Sequence, residues 1–484
     1  MMRSSTSLIR FLACGAVAAV IVWIGLTWLG EFASGSATHT TIKTAMNAGS
    51  DAGGGPTSWD TIEEAQFQEF ARHQGWNDIR LVTRIFMGDD IEKYIASQIA
   101  GEGPDVVIAS REQLAFFDEQ GLIEPLDAYL QQWSDYQEGQ FNKQLLDASR
   151  GRDGKILGLP VHENAPGVFV VRRDWLERLG LQSPTTFAQA RELWRACTHG
   201  DPDGNGQADT YGYELTMRTR GGGHLYSLAP FMFAVRAPWY RLDDDRNYVP
   251  AFNTPEAASV LDFIKQCYKE GLFGKDVMVR SGPSSATYRF FANQQAAMTG
   301  PVFIDWFDLV ADQNGMADKV QLVPFLWLDE QARDRGIYGA VTYLTRMRCM
   351  MKSSSKKLDS WKYLQYFFSK QWLKKILDRR GQPIQRGEYL GQFGLFSNET
   401  PWRMIRNDVT ARSLLDAEQV ALVLPVEQHI IRTPLMSAWP EAATAICEVI
   451  VDYYNDLYPT AQATLDEAER KFQNIMAQKK AGKI

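Results

Sequence analysis

Cysteine and histidine are scarce in this 484-residue chain, which holds five Cys and six His and no Cys-x-x-Cys pair. That excludes a cysteine-built zinc or iron–sulfur cluster. Cys197, Cys267, Cys349 and Cys447 lie far apart, and buried thiols or one or two disulfides are equally compatible with their spacing. Catalytic signatures are lacking too. There is no Gly-x-Ser-x-Gly, no His-Glu-x-x-His, no phosphate loop and no Gly-x-Gly-x-x-Gly after a strand. Gly221-Gly-Gly223-His224 has the glycines of a phosphate loop without its lysine, and reads as a plain loop. Asp and Glu are too common to mark the carboxylate pair of a glycoside hydrolase. The expectation is therefore no enzyme. Basic clusters are confined to Lys352–Lys357 and the Lys479–Lys483 tail, and the formal net charge is −7, so no nucleic-acid partner is expected.

What is present is an ordinary globular composition, 45% hydrophobic and 23% charged. The length suits roughly two to four domains or lobes. Arg3 and Arg10 precede Phe11–Gly30, an uncharged run closed by Glu31. A spanning helix needs about 20 apolar residues and a secretory core only about 7–15. Residues 1–10 thus read as a cytoplasmic N-terminus and 11–30 as a transmembrane anchor or signal segment, with cleavage near Ala33–Ala37 as the alternative. Basic residues before the run place the body outside the cytoplasmic membrane, periplasmic or extracellular. Residues 31–58, rich in Ser, Gly, Ala and Thr, form a linker with a possible first strand at Thr41–Met46.

Further on, strands and helices alternate. Trp59–Gln74 reads as a helix, Ile79–Phe86 as a strand, Ile91–Ile99 as a helix, Pro104–Ala109 as a buried strand and Glu112–Glu119 as a helix. Such alternation implies a mainly parallel sheet. Thr186-Phe-Ala-Gln189 is a capping box that starts a helix, and Thr254-Pro255 starts another. Phe290–Thr299 reads as helix then strand, closing at Gly300-Pro301. Val341–Met350 is a strand, Leu358–Leu377 a long helix, and two helices close the chain at Pro440–Asn455 and Ala461–Ala477. Trp175, Trp194, Trp361 and Trp372 fall on helical patterns and are assigned to the core.

The organising stretch is Gly154–Val171. Two apolar runs, Ile156–Val161 and Val168–Val171, flank His162, Glu163 and Asn164. Pro160, Pro166 and the glycines forbid a helix. It reads as a strand leaving one sheet and entering another, with polar residues at the floor of a gap between two lobes.

Seven short segments recur in the order found in one family. They are Gly103-Pro-Asp-Val-Val, Asp153-Gly-Lys-Ile-Leu-Gly-Leu-Pro, Asp174-Trp-Leu-Glu-Arg-Leu-Gly-Leu and Ser183-Pro-Thr-Thr-Phe. Then come Asp201-Pro-Asp-Gly-Asn-Gly, Ala296-Ala-Met-Thr-Gly-Pro and Thr433-Pro-Leu-Met-Ser-Ala-Trp439. Together they resemble the sugar-binding solute-binding proteins of ABC importers, the family of maltose-binding protein. The resemblance implies an α/β, bilobal periplasmic-binding-protein fold, with two mixed parallel sheets flanked by helices and joined by a hinge. It puts the N-lobe at 41–160 and 301–368 and the C-lobe at 161–300 and 369–484. It also implies a monomer that closes on a carbohydrate, probed as an oligosaccharide, and hands it to ABC permease subunits.

Sugars need flat apolar rings against their CH faces and planar polar groups for their hydroxyls. By position in the resemblance, Trp439 is a stacking ring and Phe303 or Trp306 a second one. Here Val302 follows Gly300-Pro301 where relatives carry the aromatic. Trp239, Tyr240 and Trp402 are candidate exposed rings on loops. His162, Glu163 and Asn164 supply polar groups at the crossing, and Met87 and Asp89 follow a strand end. Asp201, Asp203, Asn205 and Asp209 occupy positions 1, 3, 5 and 9 of a calcium loop. Gln207 would bind through its carbonyl, and Gly206 makes the sharp turn. The twelfth position is Gly212, so the bidentate carboxylate is missing, and Glu214 or Thr210 would have to substitute for a structural Ca2+. Two rivals remain: a binder of another solute (a peptide, a polyol phosphate or a metal chelate), and a carbohydrate-active enzyme or sensor ectodomain on the same fold.

Overall fold

The computed structural model describes residues 40–48, 59–87, 97, 100–133, 143–163, 167–275, 277–278, 290, 292–303, 314–316, 318–323, 325–336, 340–341, 345–367 and 430–482. The expected anchor 11–30, all of the helix at Ile91–Ile99 but residue 97, Trp372, Trp402 and the stretch 369–429 lie outside them. Among the described residues no helix is long and apolar enough to cross a membrane.

The chain opens with strand β1 (Thr40–Ala48), helix α1 (Trp59–His73), β2 (Ile79–Met87), β3 (Val106–Ser110) and α2 (Arg111–Glu119). The crossing follows as β4 (Leu159–Glu163) and β5 (Gly167–Arg172), then α3 (Arg173–Leu179), α4 (Phe187–His199) and β6 (Tyr211–Glu214). Next come α5 (Gly223–Ala234), β7 (Tyr240–Leu242), β8 (Tyr248–Pro250), α6 (Pro255–Lys269), β9 (Ala296–Phe303) and β10 (Val320–Val323). The last described elements are β11 (Ala340–Val341), β12 (Thr345–Met350), α7 (Lys357–Phe367), β13 (Ile430–Ile431), α8 (Trp439–Tyr454) and α9 (Ala461–Lys480).

Two main sheets result, in the orders β2-β1-β3-β12-β4 and β10-β5-β9-β6. The first lobe is built on the former and the second on the latter. β4 ends one sheet and β5 belongs to the other, so the chain changes lobe between Glu163 and Gly167. In the first sheet β1 runs parallel to β2 and β3, whereas β12 lies antiparallel to β3 and β4. The sheet is mixed where alternation suggested a mainly parallel one. The reason is that β12 arrives from the other lobe and does not follow a crossover helix.

The lobe boundaries also move. β4 keeps its place in the first sheet as far as Glu163, past 160. β9 runs through Gly300-Pro301 to Phe303 instead of closing there, and β10 pairs with β5. Residues 301–303 and 320–323 therefore belong to the second sheet and not to the N-lobe segment 301–368. Packing decides this. Gly300 passes so close to Phe169 of β5 that an added Cβ would sit 2.5 Å from that ring's Cδ1 and 3.1 Å from its Cα.

Local chemistry accounts for the helices. Thr186 accepts from the Gln189 amide at 3.4 Å, while the Gln189 side chain reaches back to the amide of Thr185, one residue beyond the expected cap. α4 then buries Phe187, Ala190, Leu193, Trp194 and Cys197 on one face. Thr254 caps α6 by accepting from Ala257 at 3.1 Å, and Gly271 turns the chain with a φ of +72°. The second lobe's core is an aromatic block. Trp194 stacks on Tyr213 at 4.8 Å, and Phe231 and Phe273 meet both rings edge-on. Trp175 and Trp361 are buried as expected for core residues. The first lobe carries two cores, one around Phe67, Trp361 and Tyr366 and one around Val107, Leu114 and Phe117.

Candidate functional site

The carboxyl ends of the first sheet's parallel strands lie on one edge. Met87 ends β2 opposite Ala48, Ser110 ends β3, and β4 ends at His162 and Glu163, whose backbones pair with Arg346 and Thr345. Across the crossing, Phe303 ends β9 opposite Gly167 of β5. Open α/β sheets bind ligands beyond such carboxyl ends. His162, Glu163 and Phe303 are thus brought to the junction of the two sheets by their backbones, while Met87 lies on the same carboxyl edge but at its far end, on the edge strand β2. Asn164, Asp89 and Trp306 lie outside the described residues.

In the second lobe a partly open pocket is lined by α5, the start of β7, residues Ile431–Thr433 and the start of α8. Its walls include Tyr226, Trp239, Tyr240, Arg432, Thr433 and Trp439. Three rings singled out in the sequence therefore share one wall. The fold brings α5 and α8 together at Gly222, whose φ is +72° and where an added Cβ would come 2.6 Å from that of Ala443. Tyr240 meets Trp439 edge-on at 5.5 Å and Tyr248 at 5.3 Å. Its hydroxyl donates to the Arg432 carbonyl. Burial pushes that hydroxyl's pKa up, against the pull of the Arg111 guanidinium nearby. Tyr248 in turn accepts from the Leu435 amide at 2.9 Å, so two tyrosines pin the segment that leads to Trp439.

The reading of Trp239 as an exposed ring is corrected here, and Trp439, expected as a stacking ring, is also largely buried. They are 5% and 7% exposed. Trp239 packs against Phe252, and its indole N–H is buried without a hydrogen-bond partner. The rings form a largely apolar wall. Tyr226, Arg432, Thr433 and Arg111 were not singled out from sequence. Thr433 did sit in the Thr433–Trp439 motif, and Arg111 follows a buried strand's carboxyl end, which is a readable signal.

The acidic loop is organised without an ion. Asp201 accepts from the amides of Gly204, Asn205 and Gly206 at 2.9–3.0 Å, which holds its carboxyl below the usual range. The Asn205 side-chain amide donates to Asp203 and Asp209 at 2.9 and 3.3 Å. Gln207 donates its backbone amide to Asn205 at 2.7 Å. Among the described residues no group of three His, Cys, Asp or Glu is placed to hold a metal ion. Position 12 is closed to a carboxylate, because an added Cβ on Gly212 would lie 2.1 Å from the Cβ of Trp194. The calcium site expected of Asp201, Asp203, Asn205, Gln207 and Asp209 therefore lacks a bidentate carboxylate at position 12, and the loop's own bonds form an Asx turn joining α4 to β6.

Burial pushes the thiols of Cys197, Cys267 and Cys447 up to about 12, and that of Cys349 up as well. Burial also lowers His224 to about 4, so it is a neutral core residue bonded to the Thr216 carbonyl at 2.8 Å.

Comparison with known proteins agrees with this architecture. The family described as bacterial extracellular solute-binding protein matches residues 65–384. A solute-binding protein of Thermotoga lettingae bound to α-D-tagatose superposes with a TM-score of 0.67 at 18% identity, covering 90% of this chain and 100% of that one. The Listeria monocytogenes protein Lmo0181 in complex with cycloalternan gives 0.66 at 15%, covering 91% and 99%. Maltose-bound MalE3 of T. maritima gives 0.65 at 17%, covering 90% and 100%. At these identities the likeness establishes the bilobal fold. Among curated sequences, lipoprotein LipO of Bacillus subtilis is 28% identical over 192 residues, covering 39% of this chain and 37% of its own. The polygalacturonan/rhamnogalacturonan-binding protein YtcQ of the same species is 27% identical over 141 residues, covering 28% and 27%. The chain therefore spans about a third of the length of these two relatives.

Proposed function

This chain belongs to the family of bacterial extracellular solute-binding proteins, and we propose that it captures a carbohydrate, best an oligosaccharide, for an ABC importer. The observation that carries the reading is the wall of Tyr226, Trp239, Tyr240 and Trp439 gathered on one pocket of the second lobe. Aromatic rings beside planar polar groups suit sugars better than peptides or phosphates. Relatives and structural neighbours named for saccharides support this: tagatose, cycloalternan, maltose, polygalacturonan and a fructooligosaccharide transporter's binding protein.

The mechanism is hinged closure. The chain passes between lobes at 163–167, and closing the lobes removes water from the ligand's polar contacts. No bond is made or broken. Permease subunits complete the pathway by favouring the closed, loaded form. Segment 11–30 anchors the body outside the cytoplasmic membrane, as a lipid does for a lipoprotein, and the protein acts as a monomer.

A thermal-shift screen tests this directly. Maltotriose, fructooligosaccharides, oligogalacturonides, tagatose and ribitol are added separately at millimolar concentration. Binding to the folded state raises the melting temperature by mass action, about 2.7 kcal/mol of stabilisation at a hundredfold excess over Kd. One saccharide class should shift the transition and be recovered unchanged. A response to peptides alone, or conversion of the sugar, would refute the reading.

A further inference from the structure

Helix α2 belongs to the first lobe by its packing, since Leu114 and Phe117 sit in the core shared with β3 and β12. Both of its ends are nevertheless bonded to the second lobe. At the start, Arg111 donates from Nη1 to the carbonyl of Thr433 at 2.7 Å. At the end, Glu119 Oε2 accepts from the Ser437 hydroxyl at 2.6 Å and from Lys479 Nζ at 2.9 Å. Lys479 lies in the last turn of α9, whose Leu465, Ala468 and Phe472 are part of the second lobe's core. Between the two ties, Leu435 packs against the first lobe's core. Residues 433–437 thus run along α2 for its whole length. Glu119 is balanced within its own lobe by Arg152 at 3.1 Å, so it holds one cation from each lobe. Its side chain is 17% exposed and that of Lys479 24%, which screens the pair less than a surface bridge.

The stretch so held is the one that lines the aromatic cavity. Ile431–Thr433 form one wall, and Trp439 follows Ser437 by two residues. Any parting of the lobes must either break the ties of α2 or drag this wall out of place. We propose that α2 is a latch. Arg111 and Glu119 are positioning residues that hold the two lobes at the separation seen here and thereby keep the Thr433–Trp439 wall set for ligand. In this account the open–closed equilibrium is biased before any ligand arrives, and a ligand adds to that bias through the same wall. The inference rests on the two-lobed binding reading but not on which solute is bound.

The test uses the full chain without sugar. Cys14→Ser removes the one cysteine outside the described residues, and the other four are buried. Spin labels are placed by Gln132→Cys in the first lobe and Leu242→Cys in the second, both exposed positions. Electron–electron distance measurements then read the lobe separation directly. Glu119→Gln, Lys479→Met and the double variant are compared in low and high NaCl. We expect each single variant to raise the long-distance population about threefold, the effect of a partly screened ion pair of ordinary strength. The double variant should show no more opening than either single one, because both break the same tie. High salt should open the wild type and leave the variants unmoved. Melting temperatures measured alongside separate a latch from simple destabilisation. Distance distributions unchanged in all variants, or a lowered melting temperature with no change in distances, would overturn the proposal. Because no sugar is present, such a failure leaves the solute-binding reading intact, and a silent sugar screen leaves the latch intact.

Discussion

Replacing Gly212 by alanine adds one methyl group at the tightest approach in the second lobe. The new Cβ would fall 2.1 Å from the Cβ of Trp194, 2.4 Å from its Cα and 2.8 Å from its Cγ. Carbon atoms not bonded to each other rest about 3.5–4.0 Å apart, so β6 and α4 must separate by more than about 1 Å. The obstructing atoms are backbone and Cβ, which no rotamer change can move. Trp194 is fully buried and stacks on Tyr213, so its retreat disturbs the aromatic block on all sides. Gly212 also donates its amide to Thr198 Oγ1 at 2.9 Å and to the Leu272 carbonyl at 3.0 Å, and both bonds oppose the separation. Overpacking typically costs about 1–3 kcal/mol, and a backbone obstruction belongs at the top of that range or above, about 3 kcal/mol or more. With a urea slope of about 3 kcal/mol/M, the unfolding midpoint should fall by roughly 1 M. The control is Gly206→Ala. Gly206 has φ +77° with nothing within 4 Å, so only backbone strain of about 1 kcal/mol applies. A Gly212→Ala midpoint no lower than that of Gly206→Ala would refute the steric argument.

Three further outcomes follow from the same structure. Trp439→Phe should weaken binding of the saccharide found by the screen about tenfold, close to the worth of an aromatic pair, with the transition of the free protein moved only slightly; unchanged affinity by calorimetry would remove Trp439 from the site. His224 is held neutral in the fold with a pKa of about 4 against 6.5 when unfolded, so the unfolded state binds more protons between those values and stability must fall as pH drops from 6.5 toward 4. The loss attributable to this residue is about 3 kcal/mol by urea titration, and a His224→Gln variant with the same pH slope as wild type would assign the acid sensitivity elsewhere. Chelator-treated protein should melt at the same temperature with and without millimolar calcium, since the Asp201–Asp209 carboxylates are committed to the loop's own amides; a rise that Asp203→Asn abolishes would restore the ion.

Much of the architecture can be read from residue pattern because local chemistry and tertiary packing agree there. Thr186 and Thr254 mark helix starts that the structure keeps, and the prolines and glycines around His162 mark a lobe change that falls between β4 and β5. Return points are harder to read. β10 is four residues long and joins the second sheet through pairing with β5, a contact between residues about 150 positions apart that no local periodicity encodes. For the site, the sequence singled out Trp239, Tyr240 and Trp439 separately, but neither their meeting on one wall nor the burial of the two tryptophans. That depends on Gly222 letting α5 settle against Ala443. Arg111 and Glu119 look like ordinary surface charges of a short helix until residues more than 300 positions later are brought against them.

Four sulfur atoms sit in separate places: Cys197, Cys267 and Cys447 in the second lobe's interior and Cys349 in the first. A body delivered outside the cell meets an oxidising medium, where exposed sulfhydryls couple readily. Once native, this chain offers none of these four buried thiols to such coupling. Before it is native all four are available, so the hazardous interval is the journey itself, between emerging from the export channel and sealing the two interiors. Fast maturation of each half, and not the final product's endurance, is where oxidative damage would be decided.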